Sequence, residues 1–133
     1  MKVLVEDIIN NIQIADQVIE LDYILKIIYN LSDDIDSKII LYNKTPFDFI
    51  MSIDYNYIHN LKIDHPIKLR EVHKQCYATK KQCVAIVREL FEKGNIDNVP
   101  GFIDVPIQDF TLDEMIEFKK EEEMMLRGED PFV

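Results

Sequence analysis

The stretch from Thr79 to Gly94 constrains this chain most, because it carries a helix start, an apolar helical stripe and a helix stop in succession. Thr79-Lys80-Lys81-Gln82 has the spacing of a capping box. In that motif the threonine hydroxyl accepts from the backbone N–H three residues on, and the glutamine reaches back to the threonine N–H. Beyond it, Cys83, Val84, Ile86, Val87, Leu90 and Phe91 fall on one helical face. Gly94 stands where a left-handed C-terminal cap is expected. The spacing predicts a helix over 80–93 whose apolar side must be buried against a second layer.

The rest of the chain supplies that layer. Residues 1–20 alternate loosely between apolar and polar and predict one or two strands. Leu21, Ile24, Leu25, Ile28 and Leu31 recur at helical spacing and predict a short amphipathic helix, ended by the polar loop 32–37. Lys38 to Tyr42 predicts a strand, Asn43-Lys44-Thr45-Pro46 a turn, and Phe47 to Ile53 a second strand. Asp54-Tyr55-Asn56 predicts the next turn, and Tyr57 to Ile63 a third strand with Tyr57, His59, Leu61 and Ile63 on one face. Short connections make these an antiparallel meander. A further strand is expected around Leu69 to Cys76, and a last one over Phe102 to Ile107. Pro106 puts that last strand at an edge, or the proline at its end.

Thr111-Leu112-Asp113-Glu114 is a second capping box. It predicts a helix from 112 to Arg127, stopped by Gly128, with Leu112, Met115 and Ile116 on its apolar side. The expected fold is α+β: an antiparallel sheet of about five strands packed with two helices, plus a C-terminal helix. Residues 1–108 form one domain in this reading, and 109–133 an acidic helical extension.

Charge narrows the function. The 133 residues carry a net charge of −10, which repels phosphate backbones and argues against direct nucleic-acid binding. A basic protein partner is the natural complement. Residues 109–133 hold nine acids and three bases, giving −6, whereas residues 64–93 hold seven bases and four acids, giving +3. The N-terminal residues run directly into Glu6-Asp7 without a long apolar stretch. Neither a signal peptide nor a membrane partner is therefore expected, and the expected location is the cytoplasm, with both cysteines as thiols.

No catalytic motif emerges. Cys76 and Cys83 lack C-x-x-C spacing and suit a core. His73 and Cys76, three apart in a strand, would point to opposite faces. His59, His65 and His73 match no compact metal-site spacing. The loop with Asp33, Asp34 and Asp36 lacks the glycine and distal glutamate of a calcium loop. With only Gly94, Gly101 and Gly128, no phosphate-cradling loop is available. No catalytic, cofactor-binding or metal-binding residue is assigned, and no enzyme activity is expected. The aromatic stretch from Tyr42 to Tyr57 suits sheet packing as well as a binding surface. The candidate partner-binding residues are Asp33, Asp34, Asp36, Asp54, Tyr55, Tyr57, Glu117 and Glu121.

The order of elements resembles a known family. It runs from a strand region to the helix Leu21–Leu31, then through Lys38-Ile39-Ile40-Leu41-Tyr42 to a strand pair ending at Ile63. Next come Thr79-Lys80-Lys81-Gln82, Arg88-Glu89-Leu90-Phe91-Glu92-Lys93-Gly94, Pro100 and a closing strand. This resembles the small immunity proteins of bacterial polymorphic toxin and contact-dependent inhibition systems, over residues 3–107. The chain departs from that pattern in having no tryptophan. The resemblance implies an antidote that binds and neutralises a cognate toxin domain, commonly a nuclease with a basic surface. The alternative is a regulatory or adaptor protein that self-associates as a homodimer through its tail helix.

Overall fold

The computed structural model describes residues 1–67 and 71–128. The chain forms strand β1 (Lys2–Asp7), β2 (Ile12–Val18), helix α1 (Leu21–Asn30), β3 (Lys38–Tyr42), β4 (Phe49–Asn56), β5 (Asn60–Ile67), β6 (Val72–Ala78), α2 (Lys80–Lys93), β7 (Ile103–Pro106) and α3 (Leu112–Leu126). The architecture is α+β, with a single antiparallel sheet in the order β2-β1-β3-β4-β5-β6-β7. It has seven strands where about five were expected, because the opening stretch forms a complete hairpin and every later apolar run also pairs.

The two inner helices form as their sequence signals require. The Thr79 side chain accepts from Gln82 N and the Gln82 side chain from Thr79 N, while Gly94 closes α2 at φ 76°. Lys80 Nζ donates to the carbonyls of Tyr29 and Leu31 at 3.2 and 2.6 Å, so the start of α2 satisfies the end of α1. Both helices cover one face of the sheet. Val3, Val5, Ile39, Leu41, Met51, Ile53, Leu61, Ile63, Cys76 and Ala78 face them, and meet Ile24, Ile28, Cys83, Val87 and Leu90 in one core. Each fully buried Val, Leu, Ile or Met of this set stabilises the fold by roughly 1.5–3 kcal/mol.

Several expected boundaries moved. Pro46–Asp48 is a 3-10 turn, capped by Thr45, and leaves Phe47 exposed instead of opening a strand. Asp54, Tyr55 and Asn56 are the end of β4 and not a turn; the turn is Tyr57-Ile58-His59. Asn56 decides this. Its side-chain oxygen accepts from the N–H of Ile58 and of His59, both at 3.0 Å, and Asn60 takes the left-handed conformation at φ 71°. Tyr57 and His59 are therefore exposed turn residues and do not share a strand face with Leu61 and Ile63. The expected strand near Leu69 begins at Val72; Leu69 lies outside the described residues. The last strand is Ile103–Pro106, at the sheet edge, with Pro106 as its final residue.

The other face of the sheet carries Leu4, Lys38, Ile40, Tyr42, Ser52, Asp54, Lys62, Asp64, His73, Gln75 and Tyr77, by alternation from the buried set. Among the described residues, helix α3 packs on this side, at β7. Leu112 is buried there, and Tyr77 Oη donates to Asp113 Oδ1 at 2.6 Å. The start of the acidic extension is thus docked on the sheet; residues 129–133 lie outside the described part.

Candidate functional site

Three connections converge at one end of the sheet. The register Glu6↔Lys38 and Lys38↔Asp54, with Asn56 opposite Asn60, places the β1–β2 turn, the loop 32–37 and the β4–β5 turn side by side. Each presents large apolar side chains to solvent. Ile8, Ile9, Ile35, Tyr57 and Ile58 are between 64 and 78% exposed. Scattered exposed apolar residues are ordinary; here five stand on three adjacent connections. Asp33 and Asp36 are exposed between them, and Asp34 is half-buried.

The loops are held by a buried carboxylate. Asp7, at the end of β1, is 1% exposed. It accepts from Asn10 N at 3.2 Å, Asn10 Nδ2 at 2.8 Å, Ser32 N at 2.9 Å and the Ser32 hydroxyl. Ser32 Oγ also lies 2.7 Å from Ser37 Oγ, and Asn10 Nδ2 donates to the Asn30 carbonyl at 2.7 Å. Burial works against the Asp7 charge, but the bonds from Ser32 and Asn10 outweigh it and hold the carboxyl below its usual range. Asp34 Oδ1 accepts from Asp36 N at 2.9 Å, and Ser37 O accepts from Tyr55 N at 3.1 Å, which ties the loop to β4. One ionised side chain therefore sets the relative placement of the β1–β2 turn, the end of α1 and loop 32–37.

The open face of the sheet carries a polar row behind this end. Ser52 Oγ donates to Asp54 Oδ2 at 2.9 Å. Burial raises the Asp54 carboxyl above its usual value, and the nearby Asp64 charge adds to this; Ser52, Lys38 and Lys62 act the other way. His73 Nδ1 lies 2.8 Å from Asp64 Oδ1, which also accepts from Gln75 Nε2 at 3.2 Å. His59 stacks on Tyr77 with centroids 4.0 Å apart, joining the β4–β5 turn to α3 through Asp113. The Ser52 hydroxyl is directed at a carboxylate and His73 at another, so the two do not form a nucleophile–base pair.

Of the residues singled out from sequence, Asp33, Asp34, Asp36, Asp54, Tyr55 and Tyr57 lie at the same end of the sheet. Glu117 and Glu121 do not join them: α3 packs mainly on β7, and Glu117 pairs with Lys120 at 3.5 Å. The histidines are dispersed, with His65 Nδ1 donating to the Ile50 carbonyl at 2.6 Å, far in register from His59. Among the described residues no three His, Cys, Asp or Glu side chains are grouped to hold a metal. Burial raises the thiols of Cys76 to about 11 and of Cys83 to about 12. No helix among the described residues is long and apolar enough to cross a membrane.

Sequence reasoning missed Ile8, Ile9, Ile35 and Ile58, because an exposed isoleucine has the same pattern as a buried one. The one available signal was position: Ile8-Ile9 precedes the turn pair Asn10-Asn11, and Ile58 follows Asn56. Comparison of the chain with protein families, with curated proteins and with solved structures gave no match.

Proposed function

We propose that this protein is an antidote that neutralises a toxin domain by binding it, without catalysis of its own. The observation that carries the reading is the row of Ile8, Ile9, Ile35, Tyr57 and Ile58 at one end of the sheet, interspersed with Asp33 and Asp36. Apolar anchors supply affinity, and carboxylates around them select a basic partner and speed encounter. The net charge of −10 works in the same direction. A toxin domain with a basic active surface, such as a nuclease, fits this chemistry. The resemblance in element order to immunity proteins supports the same reading.

Co-expression with the product of the neighbouring reading frame tests it. The neighbour is expected to be toxic alone, and to co-purify with this chain. Asp33→Lys together with Asp36→Lys is expected to slow association at least tenfold at low salt, and less at high salt. A harmless neighbour, or the absence of a complex, would refute the reading.

A second reading rests on α3, where Phe118, Met125 and Leu126 are exposed. A helix with such side chains suits self-association. Concentration-dependent sedimentation that Met125→Glu and Leu126→Glu abolish would favour this alternative.

A further inference from the structure

We infer that the cavity beside the β1–β2 turn receives one arginine side chain of the basic protein partner. This inference rests on the protein-binding reading above. The cavity has a volume of about 300 Å³ and is lined by Glu6, Asp7, Ile8, Asn11, Ile12 and Gln13. Its composition matches a long side chain with an apolar stem and a cationic head. Ile8 provides a wall for the stem, and the Glu6 carboxylate and Gln13 amide oxygen, paired across the hairpin on the open face of the sheet, provide with the Asn11 amide oxygen the acceptors for the head. Asp7 contributes a negative charge whose oxygens already receive four hydrogen bonds, so it attracts a cation without competing for its donors.

The spread of acceptors favours a guanidinium over an ammonium. Acceptors are spread over Glu6, Asn11 and Gln13, which a planar fork of five donors satisfies better than a point charge. Glu6 is also incompletely used. Its contact with Lys38 Nζ is 3.7 Å long, and both side chains are well exposed, at 44 and 38%. That is too long for a hydrogen bond and weak for an ion pair, so an incoming guanidinium can displace it. The cavity adjoins Ile8 and Ile9, so an arginine seated there would be flanked by apolar contact, the arrangement in which interface arginines contribute most.

The test titrates N-acetyl-arginine-N-methylamide into the full ¹⁵N-labelled chain and follows amide shifts, with the neutral citrulline counterpart as control. The arginine probe is expected to move the amides of Ile8, Asn11 and Gln13, and to bind at least about tenfold more tightly than citrulline. Glu6→Gln is expected to weaken it about fivefold to tenfold, and Lys38→Met to tighten it by removing the competitor. Equal response to both probes, shifts centred elsewhere, or indifference to both substitutions would overturn the inference. Arginine binding at the turn in a chain with no toxin partner would uphold the cavity while the antidote reading fell. A toxin complex with no arginine response would do the reverse.

Discussion

Replacing Asp7 by asparagine should destabilise this protein out of proportion to the exchange of one oxygen for an NH₂ group. Asp7 Oδ1 accepts from Asn10 N and the Ser32 hydroxyl, and Oδ2 from Asn10 Nδ2 and Ser32 N. An amide can place its oxygen at only one of these positions. Whichever it chooses, its NH₂ faces a backbone N–H, of Asn10 or of Ser32, that cannot reverse its role. An orphaned donor costs about 1–3 kcal/mol, and the surviving bonds lose their charge assistance. The total is about 2–4 kcal/mol, or roughly 6–15 °C in Tm for a chain of this length. The pH dependence follows from the lowered Asp7 carboxyl. Its contribution is fully present above the unfolded carboxylate value, and is lost as pH falls through its lower folded value. Urea unfolding of both proteins from pH 7 down to pH 3 should therefore show a gap that narrows at the acid end. A variant within 0.5 kcal/mol of the parent at pH 7, or a gap independent of pH, would refute the account of Asp7 as an ionised clamp.

Other outcomes follow from the same structure. Asp54→Asn keeps an acceptor for Ser52 but removes a charge that burial disfavours. For a carboxyl raised in the fold, the cost is absent below the unfolded value and grows as pH rises through the folded one. Tm should thus rise by about 2–4 °C at pH 7 and be unchanged near pH 3, as scanning calorimetry would show. Thr79→Ala removes the side-chain acceptor at the start of α2 and should cost about 1 kcal/mol in urea unfolding, with Thr79→Ser restoring most of it. Cys76 and Cys83, with thiols raised to about 11 and about 12, should react with a thiol reagent at pH 8 at least about 100-fold more slowly in the native protein than in urea. Fast native labelling of either would show that the core around α2 opens.

Legibility differed by element. Both capping boxes, the apolar side of α2 and the cap at Gly94 were readable because each is a local hydrogen-bond pattern with a fixed residue spacing. The strand β3 was readable as a short apolar run. The β4–β5 connection was misplaced by three residues. Asp54-Tyr55-Asn56 has turn-like composition, but Asp54 pairs with Lys38 and Lys62 across the sheet, and the Asn56 side chain builds its turn further on. Pairing partners distant in sequence overrode local preference there.

By itself the sequence determined the α+β class, the position of α2 and the acidic character of the surface, because local spacing and summed charge need no tertiary contact. Only the tertiary structure decided which side chains stand together. Antiparallel register set the turns after β1 and β4 beside the loop before β3. It thereby set isoleucines that lie far apart in the sequence into an exposed row between carboxylates, and it made Asp7, one acid among many in the sequence, the buried group that ties the β1–β2 turn to the loop 32–37. Such proximity is created by long-range strand pairing, and no property of the residues taken one at a time encodes it.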